Sequence, residues 1–347
     1  MKIGILGCWG HYQTVLDEID HMPGMEVGGL APGVPGEDMA PLRKRYPQVL
    51  LYPEPDALLA SGLFDLVIIS TRLDRIPVLA VQAAAAGCHS ICEKPLALDR
   101  ETLRSLWDQV AANGTQCVAM LHNRTHPVLA AVRECIAAGE IGDVHLVNAR
   151  KSYKCKDEPV WWLGRRATYG GTLPWVGIHA LDFIAFVCGD PGFEAVAAFH
   201  ANAAHPLQPE REDICTVNVR LRNGVLATAS IDYLRPLSAA THGDDWLRVV
   251  GSRGSLEVEM EGGVLRLLNG QGVREHGDFP SPVSFYPDFL YRLRSRGRES
   301  PWEETRRSFA LTHTALCARD AADQGMILTG LGGPWDADEA EVSLSRS

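Results

Sequence analysis
The sequence lacks a long hydrophobic run. Its longest apolar stretches, such as Leu66–Ile69, are far shorter than the ~20 residues a membrane helix needs, so no membrane association is expected. It also lacks an excess of positive charge. Lys and Arg number 33 against 43 Asp and Glu, a net charge of −10, which argues against nucleic acid as a partner. It lacks paired cysteines: nine, an odd number, lie scattered along the chain and make no disulfide framework. Cys88 and Cys92 find no second pair at metal-site spacing, and His122 and His126 find no third ligand, so no metal centre is expected. The start, Met1-Lys2-Ile3-Gly4-Ile5-Leu6-Gly7, enters a strand with no charged leader, so no signal peptide is expected, and a reducing cytoplasm is the expected compartment. Internal repeats, low-complexity segments and obvious linkers are absent as well.

What is present is ordinary globular material, 46% apolar and 22% charged, in 347 residues, long enough for two domains. The first third alternates strand and helix. Ile3–Leu6 is an apolar strand, and Tyr12, Val15, Leu16, Ile19 and Met22 then recur at helical spacing. Strands follow at Met25–Leu30, Val49–Tyr52, Phe64–Ser70, His89–Cys92 and Gln116–Met120, with helices at Pro41–Tyr46 and Pro77–Ala86. That alternation predicts a doubly wound parallel sheet with right-handed crossovers. Beyond about residue 140 the pattern changes. Val144–Ala149 is strand-like, and Thr216–Arg222 alternates apolar and polar before Asn223-Gly224 turns the chain into Val225–Ile231. Trp246–Val250, Ser255–Met260 and Val264–Leu268 continue the series, with helices near Trp175–Val187, Phe289–Ser295 and Glu303–Ala322. The reading is α/β: a Rossmann-type dinucleotide-binding domain over 1–121, and an α+β domain with an open, mostly antiparallel sheet over 122–347.

The most informative segment is Cys88-His-Ser-Ile-Cys-Glu93-Lys94-Pro95. A buried strand delivers a lysine at its carboxyl end, where open α/β sheets bind ligands. Asp99 then caps an amphipathic helix bearing Leu103, Leu106, Trp107 and Val110. Lys94 suits orienting a substrate hydroxyl; the plainer reading is a loop ion pair with Glu93. The turn after the first strand reads Gly7-Cys8-Trp9-Gly10-His11-Tyr12. A full dinucleotide fingerprint has glycine at positions 7, 9 and 12, and only the first survives. Trp9 obstructs close approach of a diphosphate, while the helix start at Gly10–Tyr12 is expected to offer N–H groups to an anion. The acid expected after the second strand is missing from Leu30-Ala31-Pro32-Gly33, with Glu37 and Asp38 the next available.

Several segments together resemble the glucose-fructose oxidoreductase / inositol dehydrogenase (Gfo/Idh/MocA) family. They are Ile3–Gly7, Asp65–Thr71, Ala86-Gly87 through Glu93-Lys94-Pro95-Leu96, Asn123-Arg124, Gly139–Gly142, Gly170-Gly171 followed by Gly177–Asp182, and Val250–Gly254. Their order and spacing span most of the chain. The resemblance implies bound NAD or NADP and a dehydrogenase or reductase acting on the CH–OH group of a sugar, cyclitol or related polyol. It also implies a homo-oligomer built through the C-terminal sheet. Lys94 matches the lysine that orients the reacting hydroxyl, and His179 the acid/base histidine. Gly7, Cys8, Trp9, Gly10, His11, Tyr12, Ser70, Thr71, Arg72, Glu93 and Lys94 are the implied cofactor contacts. Arg124, Lys151, Trp162, Trp175, His179 and Asp182 are the implied substrate contacts.

The departures from the family pattern are specific. Trp175 stands where an aspartate is common, four residues before His179; it can wall or stack on a sugar but moves no proton. Arg72-Leu73 replaces the usual Pro-Asn. Arg150, Lys151, Lys154, Lys156, Arg165 and Arg166 crowd one segment, read either as an anionic-substrate site or as a solvated strand edge. The leading expectation is an NAD(P)-dependent oxidoreductase. The alternatives are a non-catalytic sugar- or nucleotide-binding regulator that kept the fold, and a non-redox lyase or hydrolase using the cofactor transiently.

Overall fold
The computed structural model describes residues 1–155, 161–277, 279, 285–295 and 302–336. Lys156 lies outside them. Six strands form the first sheet: β1 (Lys2–Leu6), β2 (Glu26–Ala31), β3 (Leu50–Leu51), β4 (Leu66–Ile69), β5 (His89–Cys92) and β6 (Cys117–Ala119). All pair in parallel, in the order β3-β2-β1-β4-β5-β6. The order reverses between β1 and β4, and the crevice at the carboxyl ends there is where such sheets hold nucleotides. The intervening helices are α1 (Tyr12–Ile19), α2 (Ala40–Arg45), α3 (Pro55–Ala60), α4 (Ile76–Ala85) and α5 (Arg100–Asn113). The side chain of Asp99 accepts from the Thr102 N–H at 2.7 Å, which caps α5 as expected.

After α6 (Pro127–Ala137) comes the second sheet. Its strands are β7 (Val144–Tyr153), β8 (Phe193–Ala201), β9 (Ile214–Leu221), β10 (Leu226–Asp232), β11 (Gly243–Gly251), β12 (Gly254–Glu259), β13 (Val264–Asn269), β14 (Gly272–His276) and β15 (Leu328–Thr329). The order is β14-β13-β12-β11-β7-β10-β9-β8-β15, antiparallel except where β10 runs parallel to β7. Gly224 takes φ 86° in the β9–β10 hairpin, as its Asn-Gly turn predicts. β8 escapes sequence reading because Phe-Glu-Ala-Val-Ala-Ala is Ala-rich and scans as helix.

Four more helices complete the fold: α7 (Arg166–Tyr169), α8 (Ile178–Val187), α9 (Phe285–Ser295) and α10 (Trp302–Gln324). The run from α7 through α8, Arg166–Val187, is 22 residues and apolar enough to span a bilayer, a length the short apolar runs did not foretell. Its apolar window is 89% buried inside the protein, so it is a core element here.

α9 and α10 return to the first sheet. Phe285, Tyr286, Phe289 and Leu290 of α9 share one core with Ile3, Ile5, Val15 and Leu16. α10 covers the β6 edge: the Thr305 hydroxyl accepts from Cys117 N at 3.2 Å, and the Ser308 hydroxyl from Ala119 N at 3.0 Å. Side-chain oxygens thus occupy edge donors that would otherwise pair with another strand. All nine cysteines are free thiols.

Candidate active site
The turn after β1 is pinned to the ends of β2 and β4. Gly7 N donates to Ala31 O at 2.8 Å, and Trp9 N donates to Ser70 O at 2.9 Å. The Ser70 hydroxyl returns a bond to Trp9 O. Gly7 and Gly10 both take φ 91°. A Cβ at Gly7 would lie 2.5 Å from Ser70 O, and one at Gly10 would lie 2.1 Å from Glu93 Oε2. The two glycines therefore permit close approach of β4 and of the β5 end to this turn.

Glu93, fully buried, uses that approach. Its carboxylate accepts from His11 N at 2.7 Å, from His11 Nδ1 at 2.9 Å and from Lys94 N at 3.0 Å. Burial raises its pKa, but His11 and Lys94 outweigh burial and hold it at about 2. Within Gly10–Tyr12, where N–H groups were expected to face an anion, His11 N is already engaged. His11 N serves Glu93, Trp9 N serves Ser70, and Cys8 N serves Glu37 at 2.9 Å. Tyr12, an expected cofactor contact, has a buried side chain. It sits in the core beside Val15 and Leu16, its hydroxyl taking a bond from Cys8 Sγ at 3.4 Å.

Lys94 precedes a cis peptide bond to Pro95 and is buried. Its Nζ donates to Trp175 O at 3.0 Å and lies 3.2 Å from the centre of the Trp175 ring. Burial lowers its pKa to about 7; Glu93 opposes the shift and the Lys151 charge adds to it. Trp175 occupies a single π-helical turn, Leu173–Gly177, that leads into α8. One turn later α8 presents His179, 4% exposed. Burial first, then the Lys94 and Lys151 charges, push its pKa well below the ordinary histidine value. His179 is therefore a neutral imidazole at pH 7. Its Nδ1 lies 3.5 Å from Asn123 Nδ2.

Several neighbours escaped sequence reading. His122, held at about pKa 4 chiefly by burial, lies 3.3 Å through Nδ1 from the Tyr286 hydroxyl. Tyr286 arrives on α9, too far along the chain for any pattern to assign it. Asp245 of β11 stands directly across from Lys151 of β7 and pairs with its ammonium. Asp245 Oδ1 is buried and has no hydrogen-bond donor among the described residues. Only strand register reveals that partnership.

The expected substrate contacts therefore divide. Trp162 and Trp175 converge on Trp9, whose ring lies 4.4 Å from Trp162 and 5.3 Å from Trp175. Lys151 is spent on Asp245. Arg124 and Asp182 are paired with each other in the interior, and Arg124 also holds Asp190 at 3.0 Å. The basic segment disperses likewise. Arg150 pairs with Asp244 at 2.7 Å, Lys154 donates to Ala239 O, and Arg166 pairs with Glu212 and Asp323. Of the described basic residues in that segment, Arg150, Lys151, Lys154 and Arg166 thus each have a partner within the protein.

A cleft of about 590 Å³ opens beside the β1, β2 and β4 ends, lined by Trp9, Val34–Glu37, Thr71, Arg72, Arg75, Trp161 and Trp162. Aromatic walls, a carboxylate and guanidinium groups there fit the adenosine end of a dinucleotide. Among the described residues no cluster of His, Cys, Asp and Glu could hold a metal ion.

The comparisons with known proteins agree with this fold. A model of the oxidoreductase family with NAD-binding Rossmann fold matches residues 1–121, and one of the GFO/IDH/MocA C-terminal domain matches 129–257. The chain belongs to the Gfo/Idh/MocA family. A Thermotoga maritima structure described as an oxidoreductase shares 34% identity at a TM-score of 0.86, covering 95% of this chain and all of that one. Inositol 2-dehydrogenase of Rhizobium meliloti (strain 1021) is 30% identical over 219 residues, 62% of this chain and 64% of that protein. D-glucoside 3-dehydrogenase of Escherichia coli (strain K12) is 28% identical over 159 residues, 45% of each. The chain spans about half the length of the curated relatives it matches first.

In this Gfo/Idh/MocA protein Trp9 is wedged where the fingerprint has its second glycine. Trp9→Gly is expected to tighten NADH binding by about tenfold, ~1.4 kcal/mol, because it opens the turn to a diphosphate. A titration following the remaining tryptophan fluorescence reads this. A weaker complex would mean that the Trp9 ring is itself a cofactor contact.

Proposed function
We propose that the protein is an NAD-dependent oxidoreductase acting on an uncharged carbohydrate-like alcohol or ketone. The observation that carries this reading is the meeting of Lys94 and the segment bearing His179. Lys94 is tied through Nζ to Trp175 O, one turn before His179, at the carboxyl ends of the parallel sheet. The dehydrogenase activities of the curated relatives support it. So does the internal pairing of the basic side chains, which leaves little reason for an anionic substrate.

Bound dinucleotide supplies the hydride acceptor or donor. The chain's own residues handle the rest. His179, kept neutral, accepts the proton of the substrate hydroxyl. Lys94 donates a hydrogen bond to that oxygen and stabilises the charge that develops on it. Trp175 presents an apolar wall beside it. Asp245 Oδ1 is an acceptor suited to a neighbouring hydroxyl. Glu37, Thr71 and Arg72 hold the adenosine end.

The test begins with protein freed of any carried cofactor, followed by NAD⁺-dependent oxidation of a sugar and cyclitol panel. His179→Ala is expected to lower kcat/KM by about 10²–10⁴-fold. Trp175→Phe is expected mainly to raise KM, since it loses area and no proton carrier. Full activity in His179→Ala removes the mechanism. Sugar binding with no redox activity across the panel selects the regulatory alternative.

Assembly follows from the second sheet. Its strands alternate buried and exposed residues, and Phe199 and Leu226 are 70% and 54% exposed on its outer face. We place a second copy of the chain there, a proposal that light scattering tests.

A further inference from the structure
The second strand ends at Ala31 with no acid at its tip, the position from which a carboxylate ordinarily reads a dinucleotide's ribose. The fold delivers one from further along the loop. Glu37 Oε1 accepts from Cys8 N at 2.9 Å. Its Oε2 accepts from Gly33 N at 2.8 Å, Val34 N at 3.2 Å and the Thr71 hydroxyl at 2.8 Å. One carboxylate thus joins the turn after β1, the loop after β2 and the end of β4. The approach depends on Gly33, where a Cβ would sit 2.4 Å from Thr71 Cβ. Glu37 lines the cleft together with Thr71, Arg72 and Arg75.

The donor count is uneven. A carboxylate has about four acceptor sites, two on each oxygen. Among the described residues three donors crowd Oε2, whereas Oε1 takes a single one, so Oε1 keeps capacity for another hydroxyl. The fixed negative charge also disfavours a phosphate placed beside it. Arg72, which lines the same cleft, is bound bidentately by Asp74 at 2.5 and 2.8 Å.

We propose that Glu37 selects NAD(H) over NADP(H), with Oε1 accepting a hydroxyl of the adenosine ribose and the charge repelling a 2′-phosphate. This rests on the dinucleotide-binding reading given above. The experiment measures dissociation constants for NADH and NADPH by quenching of tryptophan fluorescence, since Trp9, Trp161 and Trp162 line the cleft. The unmodified protein is expected to bind NADPH at least about thirtyfold more weakly than NADH. In Glu37→Gln the two constants are expected to converge to within about threefold. Thr71→Val, which loses one tether and keeps the charge, is expected to preserve the ratio. Thermal melts show whether each variant is folded, and the ratio in the unmodified protein needs no variant. A parallel loss of both affinities in Glu37→Gln, at an unchanged ratio, overturns the assignment and leaves Glu37 a loop tether. Tighter NADPH binding in the unmodified protein also overturns it, moves selection to Arg72 and Arg75, and leaves the dinucleotide reading intact. Failure of both nucleotides to bind overturns both.

Discussion
Lys94→Met is expected to cut turnover by at least ~10³-fold while leaving the protein folded. The lysine is buried, yet its charge is a burden on the fold. Its ammonium faces the Trp175 ring and carbonyl, and Lys151 repels it, so its pKa falls to about 7. Methionine fills comparable volume without that charge. Catalysis has no such substitute, because methionine donates nothing to a substrate oxygen. Turnover within tenfold of the unmodified enzyme would reduce Lys94 to a packing element.

The same residue sets the expected pH dependence. A lysine in the unfolded chain holds its proton up to about pH 10.4. Between pH 7 and that value the unfolded state binds more protons than the folded one at this site, so stability rises with pH across the window. It is lost as pH falls toward 7. Lys94→Met should flatten this slope in melting temperatures taken from pH 6 to 10. The kcat/KM profile should carry an inflection near pH 7 that survives in the residual activity of His179→Ala. Burial keeps His179 neutral through that range. The inflection is therefore assigned to Lys94 and not to His179.

The strongest local signals in the sequence were those whose physics is local. Buried parallel strands such as β4 are continuous apolar runs, and Asn223-Gly224 is a turn with a mechanism. The lysine at the end of β5 was legible for the same reason, since strand, turn and capped helix follow within a dozen residues. What stayed hidden depends on register or on distant segments. Lys151 looked like a free cation until β11 placed Asp245 across from it. Glu37 looked too late for the ribose until Gly33 folded its loop onto Thr71. Arg124 and Asp182 both read as substrate contacts through the family resemblance. They are 58 residues apart and find each other only in the folded core.

Arg124→Met is expected to destabilise the protein by about 3–5 kcal/mol at neutral pH, because it strands a buried carboxylate. Asp182 is fully buried, and Arg124 reaches it through both Nε and Nη2. Burial already pushes the Asp182 carboxyl above its ordinary value, against the pull of Arg124. Asp190, whose side chain is 35% exposed, is also penalised by burial, but Arg124 outweighs that and holds it low. Removing the guanidinium should send Asp182 higher still, so it takes up a proton in the folded state that the unfolded chain releases. An acid with a raised folded pKa is stabilised by falling pH, so the deficit should shrink between pH 8 and pH 5. Arg307, depressed to about 10 by burial and by Arg124, stands close enough to take part of the load, which favours the lower end of the range. Urea unfolding at the two pH values measures the difference. A loss under ~1 kcal/mol, or one that ignores pH, would mean the pair is not holding a charge in the core. Activity should fall with stability, since the pair ties His122–Thr125 to α8 and so fixes the base of the helix that carries His179.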